Sequence, residues 1–276
     1  MPPRSRAPCD PQCSLASREV NREIGYTAHE LMVAVAARQI RDGELVFVGM
    51  RLPLMAFALA KRMHAPRAVG LFECGLMRDA PSPELLYTMS DPPNVAGAIW
   101  STRMINVMAL LQQGAVPLGM LGSAEVDRFG NLNTSHIGSR ERPTVKLPGS
   151  GGAADIASLA GRVVIMMQHE RRRFRERVDC VTSPGFGDGG DWRRRVGLPG
   201  GGPCAIITTL GMLSFDLETK EALLASHHPG VTPDDIRRQT GWPLRPSATV
   251  HETVPPSETE LAIIRAYDPK GVWARP

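Results

Sequence analysis

AVGLFECGLM, residues 68–77, is an apolar strand that ends on a single carboxylate, Glu73, two residues before Gly75. A carboxylate so placed is either buried and paired or chemically employed. The residues upstream show how the chain delivers it. Thr27 and Glu30 have capping-box spacing, and residues 28–41 place Leu31, Ala34, Val35 and Ile40 on one side of a helix that Gly43 can terminate. A strand follows, ELVFVGM at residues 44–50, and then the turn residues Arg51, Leu52 and Pro53. LMAFALAKRMHA, residues 54–65, reads as a second helix that stops before Pro66 and feeds the strand ending at Glu73. This is a strand, helix, strand unit. Nearly unbroken apolar strands imply a parallel sheet covered on both faces, and ligands of such sheets sit outside the carboxyl ends of the strands. Glu73 lies at that end.

With 276 residues, 42% of them apolar, the chain can bury a sizeable core as one large domain or two, and no Pro/Gly/Ser linker divides it. The start, MPPRSRAPCDPQCSLASREV, is rich in Pro, Arg and Ser without an apolar run. Residues 1–22 are therefore expected to be a disordered tail rather than a signal peptide. No later stretch approaches the ~20 apolar residues of a membrane helix, so a soluble, cytoplasmic protein with no membrane partner is expected. The five cysteines, Cys9, Cys13, Cys74, Cys180 and Cys204, are odd in number and scattered, which suits a reducing compartment. Cys9 and Cys13 have no second pair or nearby histidine to complete a zinc site, and no metal is expected. A net charge of +4 does not by itself imply nucleic acid. The strongest basic run, HERRRFRERV at residues 169–178, is broken by two glutamates and reads as a solvated face or an anchor for phosphates or a partner's carboxylates.

After Glu73 a polar, proline-containing stretch to about Asn94 is long enough to be a functional loop over the strand ends. A helix over residues 104–113, closed by Gly114, leads to a strand PLGMLGSAEVD at residues 117–127, which runs into the turn sequence DRFGNLNTS. The loop Gly149, Ser150, Gly151, Gly152 opens a short helix before the strand RVVIMMQ. Such a loop lets backbone N–H groups converge on an anion or a developing oxyanion, or it is simply a permissive turn. It matches neither the Walker pattern nor the dinucleotide fingerprint. Further on, AIITTLGMLSFD predicts a hairpin and EALLASHHPG a strand, while Thr232 with Asp235 and Ser257 with Glu260 start helices. His227 and His228 are adjacent, point apart in a strand, and are expected to be two surface histidines. Cys74 should face away from Glu73 as a buried, inert thiol.

Taken in order, VGMRLPL, KRMHAP, FECGLM, LGSAEVDRFGNLNTS, LPGSGGAADIA, IMMQHERRRF and VTSPGFGDG resemble the beta subunit of glutaconate CoA-transferase and related class I CoA-transferases, from about residue 28 to the C-terminus. The resemblance implies an open, mostly parallel α/β sheet with helices on both faces, of the NagB/RpiA/CoA-transferase type, with residues 23–276 forming the CoA-transferase domain. It implies an alpha-subunit partner in a hetero-oligomer, acyl-CoA and a small carboxylic or dicarboxylic acid as substrates, and no cofactor besides coenzyme A as substrate. Glu73, in the element Glu73, Cys74, Gly75, would be the nucleophile that becomes a glutamyl-CoA thioester. Gly151 would offer its N–H to the oxyanion and Gly152 would allow close approach, with Gly49, Gly75 and Gly149 lining the substrate. The chain departs from the pattern at Arg51, where relatives tend to have glycine. That guanidinium either binds a substrate carboxylate or the CoA phosphates, or turns outward into solvent. Hydrolysis or decarboxylation of an acyl-CoA on the same fold is the alternative chemistry, and a non-catalytic acyl-CoA-binding protein the alternative class.

Overall fold

The computed structural model describes residues 25–275; the segment 1–22, with Cys9 and Cys13, lies outside the described residues. Helix α1, Ala28–Ala37, begins at the expected capping box: the Thr27 hydroxyl accepts the Glu30 N–H at 3.1 Å and the Glu30 carboxylate accepts the Thr27 N–H at 2.8 Å. It ends before the apolar pattern does, yet Ile40 stays buried beyond it. Strand β1, Leu45–Phe47, helix α2, Leu52–Met63, and strand β2, Val69–Phe72, form the expected unit, with Phe47 opposite Leu71 in a parallel ladder.

The chain then doubles back where a loop was expected. Strand β3, Leu76–Arg78, pairs antiparallel with β2, and β4, Trp100–Ser101, pairs with β3. The intervening loop is organised by Arg78, whose buried guanidinium donates to the carbonyls of Ala80, Asn94 and Ala96. Backbone carbonyls here supply the hydrogen bonds of a buried cation.

Helix α3, Met104–Gln112, leads to β5, Leu118–Gly122. The single strand expected over residues 117–127 is in fact two. After Gly122 the Ser123 hydroxyl bonds to the Glu125 carbonyl at 2.7 Å, and the chain leaves for a small sheet of β6, Glu125–Asp127, β7, Leu132–Asn133, and β11, Phe174–Arg175. A two-stranded hairpin follows, β8, His136–Gly138, with β9, Pro143–Lys146. Then come α4, Ala153–Leu159, β10, Arg162–Met167, β12, Pro203–Thr208, β13, Gly211–Phe215, and β14, Ala222–His227. Helix α5, Pro233–Arg238, strand β15, Arg245–Glu252, and helix α6, Glu258–Tyr267, complete the described chain.

The main sheet has ten strands in the order β15-β14-β13-β12-β10-β5-β1-β2-β3-β4. Its centre, β12-β10-β5-β1-β2, is parallel throughout, and the antiparallel pairs lie toward its two ends. Alternation along β1 separates two cores. Val46 and Val48 join Phe57, Phe72 and Met120 under α1, α2 and α6, whereas Phe47 joins Leu71, Leu121 and Ile156 under α3 and α4. All the central carboxyl ends therefore share one rim, with a different helix layer on either side of it.

The expectation of two surface histidines fails at His228, which is buried. Its Nε2 meets the Thr208 carbonyl at 2.8 Å and its Nδ1 meets the Thr253 hydroxyl at 3.1 Å. His169 is buried beside it, between the hydroxyls of Thr208 and Thr240 and stacked on Phe174 with ring centroids 3.8 Å apart. Burial pushes the His169 imidazole down to about 3 and that of His228 to about 4. Both rings stay neutral in the fold but take up protons below about pH 6.5 once unfolded, so their contribution is complete above that pH and is lost as pH falls. Each should remove roughly 2 kcal/mol of stability between pH 7 and pH 5. Urea unfolding across that range should show the loss, and His169→Gln should reduce its slope; an unaltered slope would mean that the imidazole is not the group responsible.

Candidate active site

Strand β2 ends at Phe72, and Glu73, Cys74 and Gly75 form a tight turn at the carboxyl rim. The Gly75 N–H closes the turn on the Phe72 carbonyl at 3.0 Å, and the Gly75 carbonyl accepts the Thr102 N–H at 2.8 Å. Gly75 has a φ of 99°, and a Cβ there would lie 2.1 Å from the Thr102 oxygen. Only glycine fits that crossing. The turn keeps the alternation of the strand: Cys74 packs with the core under α1 and α2 and donates its thiol to the Met89 carbonyl, while Glu73 emerges on the side of α3 and α4. Burial pushes the Cys74 thiol up, away from the reactive thiolate.

The Glu73 carboxylate meets the glycine loop. Oε1 accepts the N–H of Gly152 at 3.0 Å, and a Cβ built on Gly151 would lie 3.1 Å from the same oxygen. Gly151, with φ of 49°, makes no backbone hydrogen bond of its own among the described residues. The half-buried carboxylate is thus held by one N–H, and the N–H of the preceding peptide unit is unbonded. Met108 of α3 closes the far side, its Cε 2.8 Å from where a Gly152 Cβ would stand. Glycine at both positions lets the carboxylate and the backbone approach each other.

The loop is aimed by residues whose part was not evident from the sequence. The Gly149 N–H donates to the Thr134 carbonyl at 2.7 Å, and the Thr182 hydroxyl accepts the Thr134 N–H at 3.1 Å. Buried Asn133 donates its amide to Glu125 at 2.8 Å and to the His136 carbonyl at 2.7 Å, fixing the same strand. The one available signal was asparagine inside NLNTS, since a strand rarely places asparagine inward without a partner. The neighbouring DRFGN turn is a buried lock. Asp127 accepts the N–H groups of Phe129 and Asn131, and Asn131 accepts those of Gly185 and Gly187, so the second glycine cluster is spent on packing. Burial pushes the Asp127 carboxyl up against these bonds.

Gly49 and Arg51 stand at the rim in the turn between β1 and α2, one strand away. A Cβ at Gly49 would lie 2.6 Å from the Met120 carbonyl, so the fold itself demands glycine there. Arg51 has φ of 66°, an uncommon conformation for a residue with a side chain, and its guanidinium lies 4.9 Å from the centroid of the Trp273 ring. Trp273 packs with the core opposite Glu73 and donates to the Leu86 carbonyl at 3.2 Å. Gly151 and Gly152 therefore come together with Glu73, whereas Gly149 is spent on the Thr134 carbonyl and the Arg51 side chain is directed to the other helix layer. No group of histidine, cysteine or acidic side chains suited to a metal occurs among the described residues. No helix among them is long and apolar enough to cross a membrane.

Residues 30–239 match the family described as Coenzyme A transferase. The chain belongs to that family. It is 39% identical over 245 residues to the beta subunit of the 3-oxoadipate CoA-transferase of Pseudomonas knackmussii, covering 88% of this chain and 94% of the relative. The beta subunit of the glutaconate CoA-transferase of Acidaminococcus fermentans is 37% identical over 250 residues, covering 88% and 93%. The crystal structure of that organism's glutaconate coenzyme A-transferase superposes with a TM-score of 0.85, covering 90% of this chain and 97% of the other at 34% identity. The decarboxylase AibA/AibB is more distant, with a TM-score of 0.78 at 28% identity over 91% and 100% of the two chains. The α/β fold and the reading as a CoA-transferase beta subunit stand on these likenesses. This CoA-transferase chain carries its acidic turn and its glycine loop in contact.

Proposed function

We propose that Glu73 is the nucleophile of a CoA transfer between an acyl-CoA and a small carboxylic or dicarboxylic acid. The observation that carries the reading is the Glu73 carboxylate seated against Gly151 and Gly152, with one N–H bonded to it and another free. A Glu73 oxygen adds to the thioester carbonyl, and collapse expels CoA thiolate and leaves a mixed anhydride. The thiolate then attacks the Glu73 acyl carbon, releasing the donor acid and leaving a glutamyl-CoA thioester. An acceptor carboxylate takes over CoA by the reverse steps, so one difficult exchange becomes several easier ones. Each addition places negative charge on an oxygen, and in this reading the unbonded Gly151 N–H would be its preorganised donor.

A partner subunit completes the enzyme in this reading. The relatives are themselves named as subunits, and the segment that crosses Gly75 exposes Ile99, Trp100, Met104 and Ile105, an apolar surface that suits an alpha subunit laid across the strand ends. Hydrolysis or decarboxylation would leave no CoA on the protein, which gives the test. The complex co-purified with its partner should be incubated with acyl-CoA without acceptor and then treated with borohydride, which reduces a glutamyl thioester to an alcohol. Peptide mapping should find the reduction at Glu73 in LFECGLM, and this chain alone should remain unlabelled. An adduct on Cys74, or none while the complex turns over, would overturn the assignment.

A further inference from the structure

Many arginines among the described residues are paired with carboxylates. Arg172 and Arg173 bond to Glu170, Arg194 and Arg195 to Asp191, Arg237 to Asp234, Arg238 to Asp235, and Arg245 to Glu221. Among the cations without such a partner, five fall on two segments tied to one another. Arg140, Arg142 and Lys146 on the β8–β9 hairpin, with Arg175 and Arg177 on the segment alongside, are exposed and make no salt bridge among the described residues. The acids near them are Glu141, Asp179, which is spent on the Gly138 N–H at 2.7 Å, and Glu176, which pairs with Arg128 at 3.6 Å. Like charges held together without counter-charges destabilise a fold slightly, and a polyanionic ligand reverses the sign of that term.

The hairpin is the direct continuation of the loop that holds Glu73. Its base is tied by the Leu147 N–H on the Ser135 carbonyl at 3.0 Å and the Gly149 N–H on the Thr134 carbonyl at 2.7 Å. The segment with Arg175 and Arg177 is tied to the same strand, since the Ser135 and Thr182 hydroxyls lie 2.8 Å apart and Asp179 holds Gly138. Cations and glycine loop therefore form one connected piece. At ~3.3 Å per residue, the hairpin can extend up to about 15 Å beyond its base, on the scale of the extended pantetheine arm that separates the thiol of coenzyme A from its phosphates.

We propose that the β8–β9 hairpin, with Arg140 and Arg142 at its tip and Lys146 nearer its base, is the seat of the phosphate groups of coenzyme A. The assignment rests on the acyl-CoA reading given above and adds to it a binding surface separate from the reacting carboxylate. Arg175 and Arg177 extend the same positive field along the approach. Thioester chemistry at Glu73 needs none of these cations, so their effect belongs to recognition of the nucleotide end.

The test uses the complex with its partner subunit, in the wild-type form and as the triple variant Arg140→Gln, Arg142→Gln, Lys146→Gln. Calorimetric titration with coenzyme A and with adenosine 3′,5′-bisphosphate measures phosphate recognition directly. The ratio of kcat/KM for an acyl-CoA to that for the corresponding acyl-pantetheine, which lacks the phosphates, separates it from chemistry and from folding. Three exposed charge pairs should together change that ratio about tenfold. The variant should therefore lose about tenfold in the ratio and in bisphosphate affinity, with a weaker salt dependence of CoA binding. A variant with the wild-type ratio, while the wild type binds CoA, overturns the hairpin assignment alone. Loss of the partner subunit from the variant also overturns it, by making the hairpin a subunit interface. A wild-type complex that binds no CoA overturns the acyl-CoA reading and the hairpin assignment together.

Discussion

Replacing Glu73 with glutamine should lower transfer by at least about four orders of magnitude in the complex with its partner subunit, because the nucleophile of a covalent mechanism has no substitute in the site. The neighbouring thiol is no rescue: Cys74 faces the opposite core, is bonded to the Met89 carbonyl and is held protonated by burial. The fold should be insensitive to the change. Glu73 is half-buried and takes one hydrogen bond, from Gly152, which an amide oxygen can accept equally well. Thermal melting should therefore move little, and the trapped glutamyl thioester should vanish. Glu73→Asp makes the complementary measurement. It keeps the charge but withdraws it by one methylene, and a displacement of about 1 Å can cost ~100-fold in rate. Wild-type turnover by the glutamine variant would exclude Glu73 as nucleophile.

What the sequence disclosed and what it withheld divide along the range of the interactions. Local signals were sufficient for the start of α1, where Thr27 and Glu30 form their box, and the same holds for Thr232 with Asp235 and Ser257 with Glu260. The strand, helix, strand unit ending at Glu73 was legible for the same reason, since unbroken apolar strands and a proline after the helix are written in neighbouring residues. The pattern failed where tertiary partners decide. Leu76–Arg78 is too short to announce a strand, and it pairs because β2 offers it an edge. The residues 117–127 read as one apolar strand, yet Ser123 turns the chain into a second sheet. His228 is buried because Thr208 and Thr253, each at least twenty residues away, supply its hydrogen bonds. Spacing within a strand carries no information about such partners.

The candidate site follows the same rule. Glu73 and the loop around Gly151 could each be picked out, one by a carboxylate at a strand end and the other by its glycines, but their contact spans 79 residues of chain and exists only through the sheet. Asn133, Thr134 and Thr182, which aim the loop, are ordinary polar residues until their partners are known. Arg51 was left between substrate binding and solvent; it is exposed, and its guanidinium lies over the Trp273 ring. Its stacking on Trp273 joins the end of β1 to the C-terminal segment, a contact no local reading could contain.

Gly152→Ala should cost about 100-fold in kcat while leaving the fold intact, and it isolates the geometry of the carboxylate from its chemistry. Gly152 has φ of −79° and ψ of 3°, a conformation that alanine adopts without strain, so the substitution carries no backbone penalty of the kind expected at Gly151. The added methyl group would stand 2.8 Å from the Met108 Cε and 3.1 Å from the Glu73 Cδ. The methionine end is flexible and can move aside. The carboxylate is held in a short turn and must shift by some tenths of an ångström, away from the N–H that now positions it and from the free N–H of Gly151. Misplacing the nucleophile and weakening its alignment with the oxyanion donor act on the same transition state, and either alone is worth about two orders of magnitude. The loss should fall on kcat more than on KM, since the added methyl group displaces the reacting carboxylate itself. Met108→Ala in the same background should not restore activity, because it relieves only the contact that yields easily. Turnover within about threefold of wild type in Gly152→Ala would show that the observed seating of Glu73 against the loop is not the arrangement that reacts.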